Sequence, residues 1–105
     1  MPGDFSDLGR FTDVSLLILL SLAGGQKHGY AMIEDIERFS GTALEPGTLY
    51  GALMRLEKKG WIEPLPAEER RRPYTLTTSG VAALRQQLVT LQQIVTTGVE
   101  RLVLA

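Results

Sequence analysis

GTLYGALMRLEKKGWIEPL, residues 47–65, is followed after a short polar stretch by RRRPYTLTTSG, residues 70–80. In the first segment Leu49, Ala52, Leu53 and Leu56 fall on one face when residues are set about 100° apart, which predicts a helix with a single core side. Lys58-Lys59-Gly60 closes that helix, with cations near its negative end and a glycine just past it. Residues 61–65 read as a short strand that Pro64 confines to a sheet edge. Residues 66–73 read as a polar turn, and residues 74–77 as the return strand. Helix, strand, basic turn and strand in that order predict the second helix of a helix-turn-helix followed by a two-stranded wing. The dominant use of such a unit is to hold a helix in a DNA groove.

Upstream, the helix opens at Glu45-Pro46, where the missing proline N–H costs little. A preceding helix is predicted over about residues 29–39, with Met32, Ile33 and Ile36 inward and Glu34, Asp35, Glu37 and Arg38 outward. Ser40-Gly41 ends it, and His28 reads as a cap or packing residue at its start. Residues 14–23 form a helix that is apolar nearly all round, so it is expected to be central and buried. Thr12 or Asp13 caps it, and Gly24-Gly25 stops it. Phe5, Leu8 and Phe11 suggest an amphipathic N-terminal arm packed on the body.

Downstream, Thr77 or Thr78 caps a final helix over about residues 79–103, about 38 Å long and more than so small a domain can cover. Val81, Leu84, Leu88, Leu91, Val95, Gly98 and Leu102 recur at alternating spacings of three and four, a heptad seam. Ile94, Val99 and Val103 widen it. The remaining positions are mostly Gln and Thr, so charge pairing does not choose the partner. A second copy of the chain is the simplest cover, and a homodimer presents two helices to half-sites about one DNA turn, roughly 34 Å, apart.

The expected fold class is therefore mainly α with a small β-hairpin wing (α+β). A winged helix-turn-helix with its arm spans residues 1–77, and a C-terminal dimerisation helix spans residues 78–105. A length of 105 residues suits one domain with a small core. The chain shows no internal repeat and no low-complexity linker.

Composition removes other classes. There is no cysteine and one histidine, so neither a thiolate nor a multi-histidine metal site can form, and no metal or cofactor is expected. The first ten residues, MPGDFSDLGR, lack the charge and apolar run of a signal peptide. Residues 16–20, the longest apolar run, are too few to span a membrane, so a cytoplasmic location is expected. No nucleophile stands beside His28 and no phosphate loop is visible, so an enzyme is not expected.

The net charge of −1 divides unevenly. Residues 1–45 carry three basic and seven acidic side chains, whereas residues 46–75 carry six basic and four acidic. Local charge governs phosphate contact, so the mildly acidic total does not exclude DNA. On the outward face of the helix at 48–59 lie Tyr50, Gly51, Met54 and Lys58, flanked by Thr48, Arg55 and Lys59. Tyr50 can donate to a phosphate or stack on a sugar, Thr48 can reach phosphate or a base edge, the cations can neutralise phosphates, and Gly51 permits close approach. Arg70, Arg71 and Arg72 at the wing can enter the minor groove or touch flanking backbone. Solvated Glu–Arg pairs are the plainer reading of that turn. The Tyr50–Met54 pair and the acidic total leave one alternative function, a winged-helix protein-interaction module without DNA binding.

HGYAMIEDIE (residues 28–37), GTLYGALMRLEKKGWIE (47–63) and RPYTLTTSG (72–80) together resemble the PadR family of transcriptional regulators, over nearly the whole chain. The middle motif is specific and the other two support it. The resemblance implies a dimeric winged-helix repressor whose last helix makes the dimer. It implies that Thr48, Tyr50, Arg55 and Lys58 contact a palindromic double-stranded operator, with Tyr30 supporting or touching its backbone. The short C-terminal region resembles the small subgroup with one dimerisation helix, some members of which bind flat aromatic small-molecule effectors between subunits. Gly51 departs from the usual proline, Trp61 from a common aliphatic, and the wing lacks the usual glycine and a second tyrosine. The last helix carries no aromatic on which such an effector could stack.

Overall fold

The computed structural model describes residues 13–105. The arm containing Phe5, Leu8 and Phe11, and Thr12, lie outside the described residues. Asp13 caps α1 (Val14–Ala23), its carboxylate accepting from the N–H groups of Ser15 and Leu16. Leu17, Ile18, Leu19 and Leu22 are buried, and α1 packs against α2 (Gly29–Ser40), α3 (Pro46–Lys58), β2 (Tyr74–Leu76) and α4 (Thr78–Leu104). The expectation of a central helix holds because apolar side chains on every side of α1 find a neighbour.

One expectation is corrected. Asp35 is half-buried rather than facing solvent freely. The buried Ser21 hydroxyl donates to its Oδ2 at 2.8 Å, Arg38 pairs with its Oδ1 at 3.3 Å, and the Lys27 ammonium lies 4.0 Å away. Lys27 also donates to the Ser21 carbonyl at 2.5 Å and the Gly25 carbonyl at 3.3 Å. A polar knot thus fastens the end of α1 to α2, satisfying groups that burial would otherwise penalise.

The His28 Nδ1 caps α2 by accepting from the Ala31 N–H at 3.4 Å. Gly41 ends the helix at φ 75°, a left-handed conformation that glycine adopts freely. In α3, Leu49, Ala52, Leu53 and Leu56 are all buried against Met32 and Ile36 of α2 and the α1 core. The inward face predicted from periodicity is the one observed.

β1 (Ile62–Pro64) pairs antiparallel with β2, Ile62 opposite Leu76 and Pro64 opposite Tyr74. Three residues per strand make a marginal hairpin. It is held by its neighbours: Lys27 and Tyr74 exchange backbone hydrogen bonds of 3.2 and 2.9 Å, and the Leu65 N–H donates to the Pro73 carbonyl at 2.8 Å. Glu68 and Arg71 exchange a further backbone pair at 2.7 and 2.8 Å, leaving Glu69 and Arg70 at the tip. These two have φ of 56° and 121°, the conformation that tight hairpins normally assign to glycine or asparagine.

The Thr77 hydroxyl caps α4, accepting from the Gly80 N–H at 3.0 Å and donating to the Gly60 carbonyl at 2.6 Å. The Thr77 N–H also donates to the Trp61 carbonyl at 3.1 Å. Gly80 lies against that same carbonyl so closely that a methyl group would overlap it. Leu84 is the last α4 residue in the core. The whole helix is 27 residues, about 40 Å long, and beyond Leu84 its apolar residues are exposed except the half-buried Leu91.

Candidate nucleic-acid interface

The apolar face of α3 is buried in the core, which leaves the opposite face open. Thr48, Tyr50, Met54, Arg55 and Lys58 are exposed there, and Gly51 is half-buried. Met54 is 73% exposed, the most of any α3 apolar side chain. A Cβ on Gly51 would meet only the Arg55 guanidinium, at 3.7 Å, so the bare backbone at this point borders open space. A rigid helix presenting hydroxyl, thioether and cationic groups from a bare strip of backbone has the elements needed to enter a groove.

Tyr50 is positioned by a residue that sequence reasoning passed over. Its phenol lies over Gly29, where a Cβ would come within 2.6 Å of the hydroxyl. Glycine in the first turn of α2 therefore makes the space in which Tyr50 lies. The HGY triplet was the available signal, since helix propensity gives no reason for glycine at that position.

The same region brings distant segments together. One cleft is lined by His28, Gly29 and Tyr30 of the α2 start, Tyr50 of α3, Arg70, Arg71 and Arg72 of the wing, and Tyr74 of β2. Tyr30, Tyr50 and the three arginines, proposed from separate motifs, thus share one surface. The Arg71 guanidinium is 3.3 Å from His28 Nε2. Burial first, then the Glu57 carboxylate, raises the Tyr74 phenol above its ordinary value, and Arg72 opposes this.

Charge on this surface is left unneutralised. Among the described residues both ion pairs converge on Asp35, and neither involves α3 or the wing. The Glu–Arg pairing that a plain solvated turn would show is absent from them. Lys59 is arranged differently from the other candidate cations: its ammonium sits 4.7 Å from the centre of the Trp61 ring, a cation–π contact on the body of the domain. Trp61 itself packs against the core.

The seam residues also divide. Leu84 is 5% exposed and is used within the chain, so it anchors α4 rather than extending its free face. Val81, Leu88, Val95 and Leu102 are exposed, as are Gly98 and the widening residues Ile94, Val99 and Val103, and Leu91 is half-buried. Among the described residues no group of three His, Asp or Glu side chains could hold a metal, and no helix is long and apolar enough to cross a membrane.

A family model described as the transcriptional regulator PadR-like family matches residues 18–86. The chain belongs to that family. The PadR-like match runs from within α1 to just beyond Leu84, where α4 leaves the core. The chain is 30% identical to a transcriptional regulator from Clostridium thermocellum, with a TM-score of 0.73 over 88% of this chain and 91% of that one. It shares the fold of Bacillus subtilis PadR, solved in complex with operator DNA, at 24% identity and a TM-score of 0.66, covering 72% of this chain and 46% of that one. It is also 46% identical over 78 residues to an uncharacterized 37.1 kDa protein in transposon TN4556 of Streptomyces fradiae, covering 74% of this chain. The chain spans only 23% of the length of that relative. The winged-helix architecture read from residues 47–80 is thus the family's own, and the family is one of transcriptional regulators rather than enzymes.

Proposed function

We propose that this PadR-like chain is a homodimeric, sequence-specific repressor that binds a palindromic operator. The observation that carries the reading is the convergence of Tyr30, Tyr50 and Arg70 to Arg72 on one cleft beside the open face of α3. In this reading Thr48, Tyr50, Met54, Arg55 and Lys58 enter the major groove from a helix with a bare strip at Gly51. The wing arginines neutralise backbone phosphates alongside. Bacillus subtilis PadR, which shares this fold, is solved in complex with operator DNA, which supports DNA as the partner.

Residues 78–105 serve as the dimerisation element, from Leu88 outward. That stretch leaves Leu88, Val95, Val99 and Leu102 exposed along a heptad-spaced seam, which water penalises and a second copy could cover. Repression follows from occupation of a promoter by the dimer. A small-molecule effector would act by favouring another separation of the two α3 helices.

Selection from random duplex DNA, with sequencing of the retained fraction, tests the proposal. An inverted repeat with half-site centres about one turn, roughly 34 Å, apart is the expected result. A folded dimer that enriches no sequence would refute it and favour the protein-interaction reading of the same face.

A further inference from the structure

The open face of α3 has an order along its centre line. Gly47 comes first, then Gly51, then Met54, then Lys58. A Cβ at Gly47 would meet nothing within 4 Å, and one at Gly51 would meet only the Arg55 guanidinium. From the helix start, Met54 is therefore the first side chain on that line, and it stands free. It borders a shallow depression shared with Gly51, Arg55, Glu57 and Lys58. An apolar side chain is thus held at the centre of a polar and cationic face, where solvation alone would favour a charged residue.

In the major groove, thymine is the one base whose edge carries an apolar group, its 5-methyl. We infer that Met54 is a specificity-determining residue that packs on the 5-methyl group of a thymine in each operator half-site. The inference rests on the DNA-binding reading of this face. The thioether is flexible and polarisable, so it can settle over a methyl group without demanding one fixed geometry. The two glycines let the helix backbone come close enough for a side chain of this length to reach the base edge. Arg55 and Lys58, the next cations on this face beyond Met54, suit guanine O6 and N7 or neighbouring phosphates, so positions next to the thymine on that side would be governed by the cations.

The test is a methyl scan of the selected operator. Each thymine is replaced symmetrically by deoxyuridine, which removes only the 5-methyl. Binding is then measured with the wild-type protein, Met54→Ala and Met54→Leu. One position is expected to weaken wild-type binding by about fourfold per half-site, the order expected for burying one methyl group. Met54→Ala should lose that discrimination and Met54→Leu should keep most of it. A selected operator with no deoxyuridine-sensitive position overturns the inference alone. So does a sensitive position that Met54→Ala leaves unchanged. Failure to enrich any operator overturns the DNA-binding reading and this inference with it. Met54 is exposed, so circular dichroism of each variant should match the wild type.

Discussion

Replacing Gly80 by alanine should destabilise the protein, although alanine is the better helix former. Gly80 lies in the first turn of α4 against the Trp61 carbonyl, and an added methyl group overlaps that oxygen. Both partners are backbone, so neither can swing aside, and the junction must open by about an ångström or more. Overpacking of this kind costs about 1–3 kcal/mol. Opening also strains two hydrogen bonds, from the Thr77 N–H to the Trp61 carbonyl at 3.1 Å and from the Thr77 hydroxyl to the Gly60 carbonyl at 2.6 Å. At about 1 kcal/mol each their loss adds to the penalty, while alanine's helix propensity returns about 1 kcal/mol. The net expectation is a loss of about 2–4 kcal/mol. Urea denaturation followed by far-ultraviolet circular dichroism, at one protein concentration, should show the midpoint falling by about 1 M or more. Gly51→Ala is the control: it borders open space, so it should gain up to about 1 kcal/mol from helix propensity. A Gly80→Ala variant as stable as the wild type would refute the claim that backbone contact at Trp61 docks α4.

Arg55→Ala should weaken operator binding by about 1–3 kcal/mol in a gel-shift or anisotropy titration, and Tyr50→Ala should weaken it too, with sedimentation still showing dimers. Removing one wing arginine that touches phosphate should reduce the slope of log affinity against log salt by about one per half-site, and an unchanged slope would assign that arginine to solvent. Leu88→Asp should yield monomers by sedimentation, and persistent dimers would count against the α4 interface. Tyr74 titrates above its unfolded value, so its neutral form favours the folded state. That contribution is complete below about pH 10 and is lost as pH rises through the folded value, so Tyr74→Phe should flatten the alkaline fall in stability.

The helices were legible because each carries its own punctuation. Asp13, His28, Thr77, Gly41 and Gly60 are local signals, and their geometry needs no knowledge of the rest of the chain. The inward face of α3 was legible for the same reason, since periodicity alone separates Leu49 and Leu53 from Tyr50 and Met54. Contacts between distant residues were not. Nothing in the spacing of Asp35 shows that Ser21 and Lys27 will turn towards it, because the contact depends on how α1 crosses α2. Lys59 looked equivalent to Lys58 until Trp61, two positions further on, was folded back beneath it. Leu84 fits the heptad as well as Leu88 does, and only the docking of the first α4 turns on the core divides them. The positive φ values of Glu69 and Arg70 contradict local preference and arise from the tight Glu68–Arg71 closure.

The backbone tie between Lys27 and Tyr74 has a mechanical consequence. It joins the segment before α2 to the wing, while the Thr77 and Gly80 contacts join the wing's base to α4. The segment before α2, the wing and the start of α4 are therefore joined by backbone contacts, and α3 is packed on the same core. In a dimer pivoting near the far end of α4, a tilt of only about 5° over an arm of about 40 Å swings the opposite end by roughly 3.5 Å. That displacement is close to the rise of one base pair. For the proposed dimer on DNA, small changes in how two copies cross would alter the operator spacing it can span, while leaving each half-site's sequence preference intact.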